Sequence, residues 1–209
     1  MPATETILLF MAAALALNVT PGPSIAYVMS RSFGQGRTAG LVSAIGLGTG
    51  SLLHALGATL GLSALVAYSP MAFAVIKYLG AAYLVYLGVG LLRQRTVRLA
   101  NAVPPRLALS RVYWQGVLTE ILNPKIALFF LSFLPQFVDP ARGSVAGQTL
   151  FFGLLFHVTG VPINMLVAVA GGAIAASFSR HPVLERMRNW LSGTVLIGLG
   201  VRLALSQKE

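Results

Sequence analysis

Two short runs hold the residues of this 209-residue chain best suited to chemistry: Asn18-Val19-Thr20-Pro21-Gly22-Pro23-Ser24 and Glu120-Ile121-Leu122-Asn123-Pro124-Lys125. In the first, two prolines remove backbone donors and clash with preceding carbonyls, so a helix entering the run must break or kink. If that helix crosses lipid, the freed N–H and C=O groups persist only when buried in protein or lining a polar cavity. With Asn18, Thr20 and Ser24 beside it, the Pro21-Gly22-Pro23 run reads as a binding site rather than a packing kink. In the second run, Pro124 makes a matching break between an anion and a cation. Lys125 lies near the middle of its apolar interval, too far from either edge to snorkel easily, so its ammonium needs a partner. Glu120 is five residues back, off to one side on an ideal helix. The break at Pro124 either joins the two as a structural ion pair or leaves each facing a cavity. One cation, one anion and broken-helix backbone are the inventory a zwitterion requires: Lys125 and free N–H groups for a carboxylate, Glu120 and free carbonyls for an ammonium. The cargo suggested is a small amino-acid-like molecule, and Glu120 is also placed to carry a coupling proton.

The histidines are less decisive. His54 and His157 read either as buried imidazoles satisfied by backbone carbonyls or as members of a proton relay. Three scattered histidines and no cysteine supply no metal cluster, no disulfide framework and no thiolate site. No cofactor is expected. An enzyme would need a nucleophile with a base or a metal cluster, which the spacing of Ser24, His54 and His157 does not provide. Lys77 is expected to snorkel, Tyr78, Tyr83 and Tyr86 to lie at an interface or in packing, and Gly57-x-x-x-Gly61 is a weak helix-packing signal.

The elements that must position these groups follow from the distribution of charge. Hydrophobic residues make up 56% of the chain and charged residues 10%, with a mean hydropathy of +0.78; a soluble domain carries about 25% charged residues. A charge at mid-bilayer costs about 2.5 to 3.5 kcal/mol on insertion scales, so uncharged intervals mark the spans. Residues 6–30 give the first, and the lack of a clear cleavage site argues against a removed signal peptide. Residues 38–76 are too long for one helix and break at Ser69-Pro70, predicting spans over 39–66 and 71–92. A polar loop over 93–111 follows, then spans over 112–137, 143–179 with Pro162 inside, and from Trp190 to Arg202. The expectation is an all-α polytopic membrane protein of six transmembrane helices, one transmembrane domain over 1–209.

The formal charge of +10 would suggest nucleic acid in a soluble protein. Here ten of the fifteen basic residues fall in the loops after spans one, three and five: Arg31 and Arg37; Arg93, Arg95, Arg98, Arg106 and Arg111; Arg180, Arg186 and Arg188. Arg142, Arg202 and Lys208 fall on the other side, and Lys77 and Lys125 within spans. The positive-inside rule makes the richer side cytoplasmic and both termini periplasmic. The surplus thus orients the protein in the lipid bilayer, and no nucleic-acid partner is expected. Homodimerisation is left open.

Sliding the chain by 103 residues superposes Pro21 on Pro124, Gly50 on Gly153, His54 on His157 and Gly57 on Gly160. With three spans in each half, repeat one over 1–92 and repeat two over 112–209 enter the membrane from opposite sides. Two inverted three-helix repeats are a transporter signature, since exchanging their conformations opens one central site to each side in turn.

Thr20-Pro21-Gly22-Pro23, then Gly80-Ala81-Ala82-Tyr83-Leu84 with Tyr86-Leu87-Gly88, then Asn123-Pro124-Lys125 with Phe129-Phe130 and Phe133-Leu134-Pro135-Gln136-Phe137, resemble the LysE/RhtB family of bacterial amino-acid exporters. The resemblance covers essentially the whole chain. It implies a six-helix inner-membrane efflux transporter, driven by the proton gradient, for lysine, threonine, homoserine, homoserine lactone or similar derivatives. Its first-helix motif falls on Thr20 to Pro23 and its fourth-helix motif on Asn123 to Lys125. Where such proteins often carry Asp or Asn directly after Pro-Gly-Pro, this chain has Ser24; where they are more often neutral, it has Glu120. The resemblance thus implies an acid moved from span one to span four. The rival from the nearest class is a metal or other ion exporter on a related scaffold, which would need several convergent intramembrane oxygens.

Overall fold

The computed structural model describes residues 2–68, 70–93 and 106–180, and beyond them 187, 190, 193–194, 197–198, 200–201 and 204–205. Among these every regular element is helical. Helices α1 (Thr4–Val19) and α2 (Pro23–Gln35) are followed by α3 (Arg37–Tyr68), α4 (Pro70–Arg93), α5 (Leu109–Ile121), α6 (Pro124–Leu128) and α7 (Val145–Arg180). A π-helical turn (Phe129–Phe133) and a 3-10 turn (Leu134–Phe137) extend α6. Pro135 lacks an N–H, so the α-helical ladder cannot run through it, and the widened turn lies just before.

Prolines set the breaks. Thr20 precedes Pro21 and is extended, with φ −67° and ψ 126°; Pro23 then opens α2. Asn123 precedes Pro124, is extended at φ −76° and ψ 106°, and caps α6 by accepting from Lys125 N. The result is two bent pairs, α1 to α2 at 48° and α5 to α6 at 45°. Pro70 opens α4 at the break expected there, whereas α7 runs continuously through Pro162. Two stretches, Arg37–Gly61 and Val145–Ala170, are long and apolar enough to cross a membrane, and each bent pair also qualifies when taken as one broken span. The side chains of Lys77 and Tyr83, residues 94–105 of the expected 93–111 loop and six of the thirteen positions of the sixth expected span lie outside the described residues.

The first span extends further than the uncharged interval indicates. Arg31, assigned above to a loop, sits within α2 and is buried. The reason is a partner: its Nη2 donates to Gln115 Oε1 on α5 at 2.9 Å, and its guanidinium lies 5.6 Å from the Tyr27 ring centre. The turn from α2 to α3 is Gly36 alone, whose φ of +93° favours glycine.

Leucines, valines and tryptophans such as Leu60, Leu118, Trp114 and Leu166 are exposed on the outside, the pattern of helices whose outer solvent is lipid. Inside, one end of the bundle is filled by Phe10, Phe129, Phe130, Phe133, Phe137, Phe152 and Phe156. Phe10 stacks 4.8 Å from Phe152 and 5.2 Å from Phe137, and Phe129 stands 4.8 Å from Phe156. A smaller cluster of Val28, Ala44, Leu47 and Ala168 joins α2, α3 and α7.

Close approach of α3 to α5 depends on Gly50, noted in the sequence only for its match with Gly153, and on Gly116, which the sequence reading did not single out. A Cβ at Gly50 would stand 2.5 Å from Glu120 Cβ and 2.9 Å from Val117 O, and one at Gly116 would stand 2.9 Å from Ser43 O. Gly57 and Gly61, the pair singled out by spacing, have nothing within 4 Å of such an atom. Their groove points away from the bundle. On the other flank, α4 comes backbone to backbone with the helical residue Gly193, a Cβ at Gly88 standing 2.6 Å from Gly193 O.

Candidate functional site at the paired helix breaks

The two breaks meet. Thr20, Ser24, Glu120, Asn123 and Lys125 are all buried, none more than 6% exposed. At the end of α1, Thr20 Oγ1 donates to Ala16 O at 2.6 Å and Thr20 N to Leu17 O at 3.1 Å. The carbonyls of Leu17 and Thr20 face the second break. Lys125 Nζ donates to them at 3.2 and 3.1 Å. A helix ends with unsatisfied carbonyls and a partial negative charge, so an ammonium there is favoured on both counts. Gly22 makes room for it: a Cβ at that position would lie 3.2 Å from Lys125 Nζ. The requirement is space, since Gly22 itself is in extended backbone.

Glu120 is held elsewhere. Its Oε2 accepts from Ser24 Oγ at 2.5 Å, and Ser24 Oγ accepts from Asn123 Nδ2 at 2.9 Å. Lys125 and Glu120 therefore do not form the ion pair that was one of the two readings; each reaches across to the first broken helix, the cation to its backbone and the acid to its serine. The Glu120 carboxylate thus contacts Ser24, the residue that follows Pro21-Gly22-Pro23.

His54 Nε2 donates to the backbone carbonyl of Glu120 at 3.0 Å and stacks on Phe130. That bond caps the broken end of α5. Ser51 Oγ donates to Gly48 O at 2.9 Å, which leaves its lone pair for His157 Nδ1 at 2.9 Å. His157 is bonded to α3 and does not share a hydrogen bond with His54. Asn18 Nδ2 donates to Thr159 Oγ1 on α7 at 3.3 Å, and Gly160 gives it space. Pro21, Pro23 and Pro124 act through the backbone they interrupt.

A polar seam runs from this cluster to the basic end of the bundle. Along α2, Ser24, Tyr27, Arg31 and Gln35 recur at helical spacing on one face, and each meets α5 or the residues before it. Ser24 holds Glu120; Tyr27 Oη donates to Val112 O at 2.7 Å; Arg31 holds Gln115. Gln35 exchanges two hydrogen bonds with Leu107, Nε2 to O at 2.5 Å and backbone N to Oε1 at 3.0 Å. The two ends of the bundle are therefore closed by different means, hydrogen bonds along α2 and α5 at one and phenylalanine rings at the other. Sequence reasoning missed Tyr27, Gln35, Ser51 and Gln115. Of the four seam positions on α2, Ser24 and Tyr27 fall within the apolar interval 6–30 as polar residues at helical spacing, whereas Arg31 and Gln35 fall beyond it.

Comparison with known proteins adds the last part. The family model of the LysE type translocator matches residues 15–207. An uncharacterized membrane protein of Vibrio cholerae is 32% identical over 203 residues, covering 96% of this chain and 97% of its own. Leucine efflux proteins of Enterobacter and Salmonella typhimurium are 26% and 24% identical, covering 93% and 95% of this chain and 93% and 94% of their own. No solved structure matches. With a match that runs from before the first helix break to the final residues and takes in both breaks, the chain belongs to the LysE type translocator family.

Proposed function

We propose that this translocator exports amino acids or their derivatives across the bacterial inner membrane in exchange for protons, by alternating access. The cargo class is that of leucine, threonine, homoserine, homoserine lactone or lysine. The observation that carries the reading is the meeting of two broken helices, bent by 48° and 45°, around a buried acid and a buried cation. Broken helices at mid-membrane supply backbone ligands for a small zwitterion, and two matching breaks in successive halves are expected of inverted repeats. The leucine efflux proteins among the relatives support the cargo class.

In this reading six spans form two inverted repeats, 1–92 and 112–209, with both termini periplasmic and the basic end of the bundle in the cytoplasm. Asn18, Thr20 to Ser24 and Asn123 to Lys125 enclose the cargo. Lys125 recognises its carboxylate, and Glu120 exchanges the proton, with Ser24 reporting its state to α2. The seam of Tyr27, Arg31 and Gln35 is the cytoplasmic closure, which parts to admit cargo. The test is export by cells overexpressing the protein, over a panel of amino acids and homoserine lactones, read by mass spectrometry of the medium. One or more members are expected to accumulate outside, and Lys125→Ala and Glu120→Gln to reduce that accumulation severely at unchanged protein level. Normal export by both variants would sink the site assignment.

A further inference from the structure

The partners of Lys125 are those an amine cargo would need. Two backbone carbonyls, of Leu17 and Thr20, converge on one ammonium at the negative end of a broken helix. They are 3.2 and 3.1 Å from Nζ, in a space that glycine at 22 keeps open. The nearby carboxylate of Glu120 is engaged by Ser24. Burial leaves Lys125 no water to turn to, so its charge is satisfied by those carbonyls or by a counter-anion that enters.

We infer that Lys125 is a resident surrogate for the cargo, its ammonium standing on Leu17 O and Thr20 O where the α-ammonium of an amino acid binds. This rests on the exporter reading and adds one contact to it, placing the cargo amine, which the sequence reading assigns to Glu120 and free carbonyls together, on the α1 carbonyls. On arrival the cargo ammonium takes the carbonyl pair, and the displaced Lys125 ammonium pairs with the cargo carboxylate beside it. A zwitterion satisfies both halves of the exchange. An amine without a carboxylate dislodges Lys125 and brings no anion to replace the lost carbonyls; an acid without an amine does not displace Lys125 from them. Lys125 thereby selects for the α-amino acid group as a whole. It also keeps the broken end of α1 capped when no cargo is present.

The experiment is equilibrium binding to the purified full chain in detergent, followed by ligand-induced thermal shift, with L-leucine, 3-methylbutylamine and 4-methylpentanoate as probes. Wild type is expected to bind leucine at least about tenfold more tightly than the amine or the acid. In Lys125→Met the resident competitor is gone: the amine should bind about tenfold more tightly than to wild type, and as well as leucine does. Lys125→Gln, which removes the ammonium from the carbonyl pair but keeps a polar side chain, guards against misfolding and is expected to level leucine and the amine likewise. A lysine that merely caps α1 predicts instead that leucine and amine weaken in parallel. If the amine gains nothing in either variant, the surrogate is overturned, and the export panel alone decides the exporter reading. If the amine gains but no amino acid is exported by wild type, the ammonium site stands and the exporter reading falls.

Discussion

Ser24 Oγ donates to Glu120 Oε2 at 2.5 Å, a hydrogen bond between the helix that follows the first break and the helix that precedes the second. It joins two residues 96 positions apart in the chain through an acid that makes no direct ion pair among the described residues. A bond of this kind depends on protonation, since a carboxylate accepts from the hydroxyl on either oxygen whereas the protonated acid competes as a donor.

Glu120→Gln keeps an oxygen for Ser24 to donate to but cannot exchange a proton. In proteoliposomes, net uphill export driven by a pH gradient should fall by about tenfold or more, whereas exchange of labelled for unlabelled cargo should persist. Loss of both activities together would show that the acid serves binding or folding rather than coupling.

Gly50→Ala places a methyl against Glu120 Cβ and Val117 O, at 2.5 and 2.9 Å. It should push α5 from α3 and cost about 1 to 3 kcal/mol. Gly57→Ala and Gly61→Ala, on the same helix with nothing within 4 Å, should leave stability unchanged. Thermal unfolding of the three variants in detergent, side by side, checks the direction in which this helix faces the bundle.

The chain contains no cysteine, so paired thiols can be added to the native sequence. Gln35→Cys with Leu107→Cys, bridged by a short thiol-reactive crosslinker, should fasten α2 to the start of α5. Transport is expected to fall to background and to return when a cleavable crosslinker is reduced. Unimpaired transport by the bridged protein would mean that this end of the bundle does not part.

Gly22→Ala brings a methyl to 3.2 Å from Lys125 Nζ, so the ammonium must yield by a few tenths of an ångström. The two hydrogen bonds to α1 should lengthen and cargo affinity fall several-fold, about 1 kcal/mol, with little change in expression. Saturation binding of the cargo found in the export panel measures this.

Alkaline phosphatase fused after residue 209 should be active in cells and the same enzyme fused at residue 100 inactive, because nine of the fifteen basic residues stay on one side once Arg31 is placed inside α2, and the positive-inside rule predicts that side to be cytoplasmic. The opposite pair of activities would invert the orientation.

Both breaks were legible because proline acts on its own backbone. Thr20 before Pro21 and Asn123 before Pro124 are extended whatever surrounds them. The start of α4 at Pro70 was legible for the same reason. What Lys125 touches was not. The choice between Glu120 and the carbonyls of Leu17 and Thr20 depends on how α1 lies against α6, and such a long-range relation leaves no local trace. The glycines make the same point: Gly46-x-x-x-Gly50 and Gly57-x-x-x-Gly61 share one spacing on one helix, and only the tertiary arrangement decides which faces α5 and which faces outward. Arg31 misled because a charge was taken as the edge of a span, whereas Gln115 and the ring of Tyr27 let it lie inside α2.

The two closures differ in what wetting them costs. Separating Tyr27, Arg31 and Gln35 from their partners trades hydrogen bonds for equivalent ones with water, a near-neutral exchange. Wetting the rings of Phe10, Phe129, Phe137 and Phe152 has no such compensation, and each fully hydrated ring costs about 1.5 to 3 kcal/mol. In the proposed transport cycle the molecule is therefore a valve with one wet gasket and one dry one, and thermal agitation alone favours opening of the wet side.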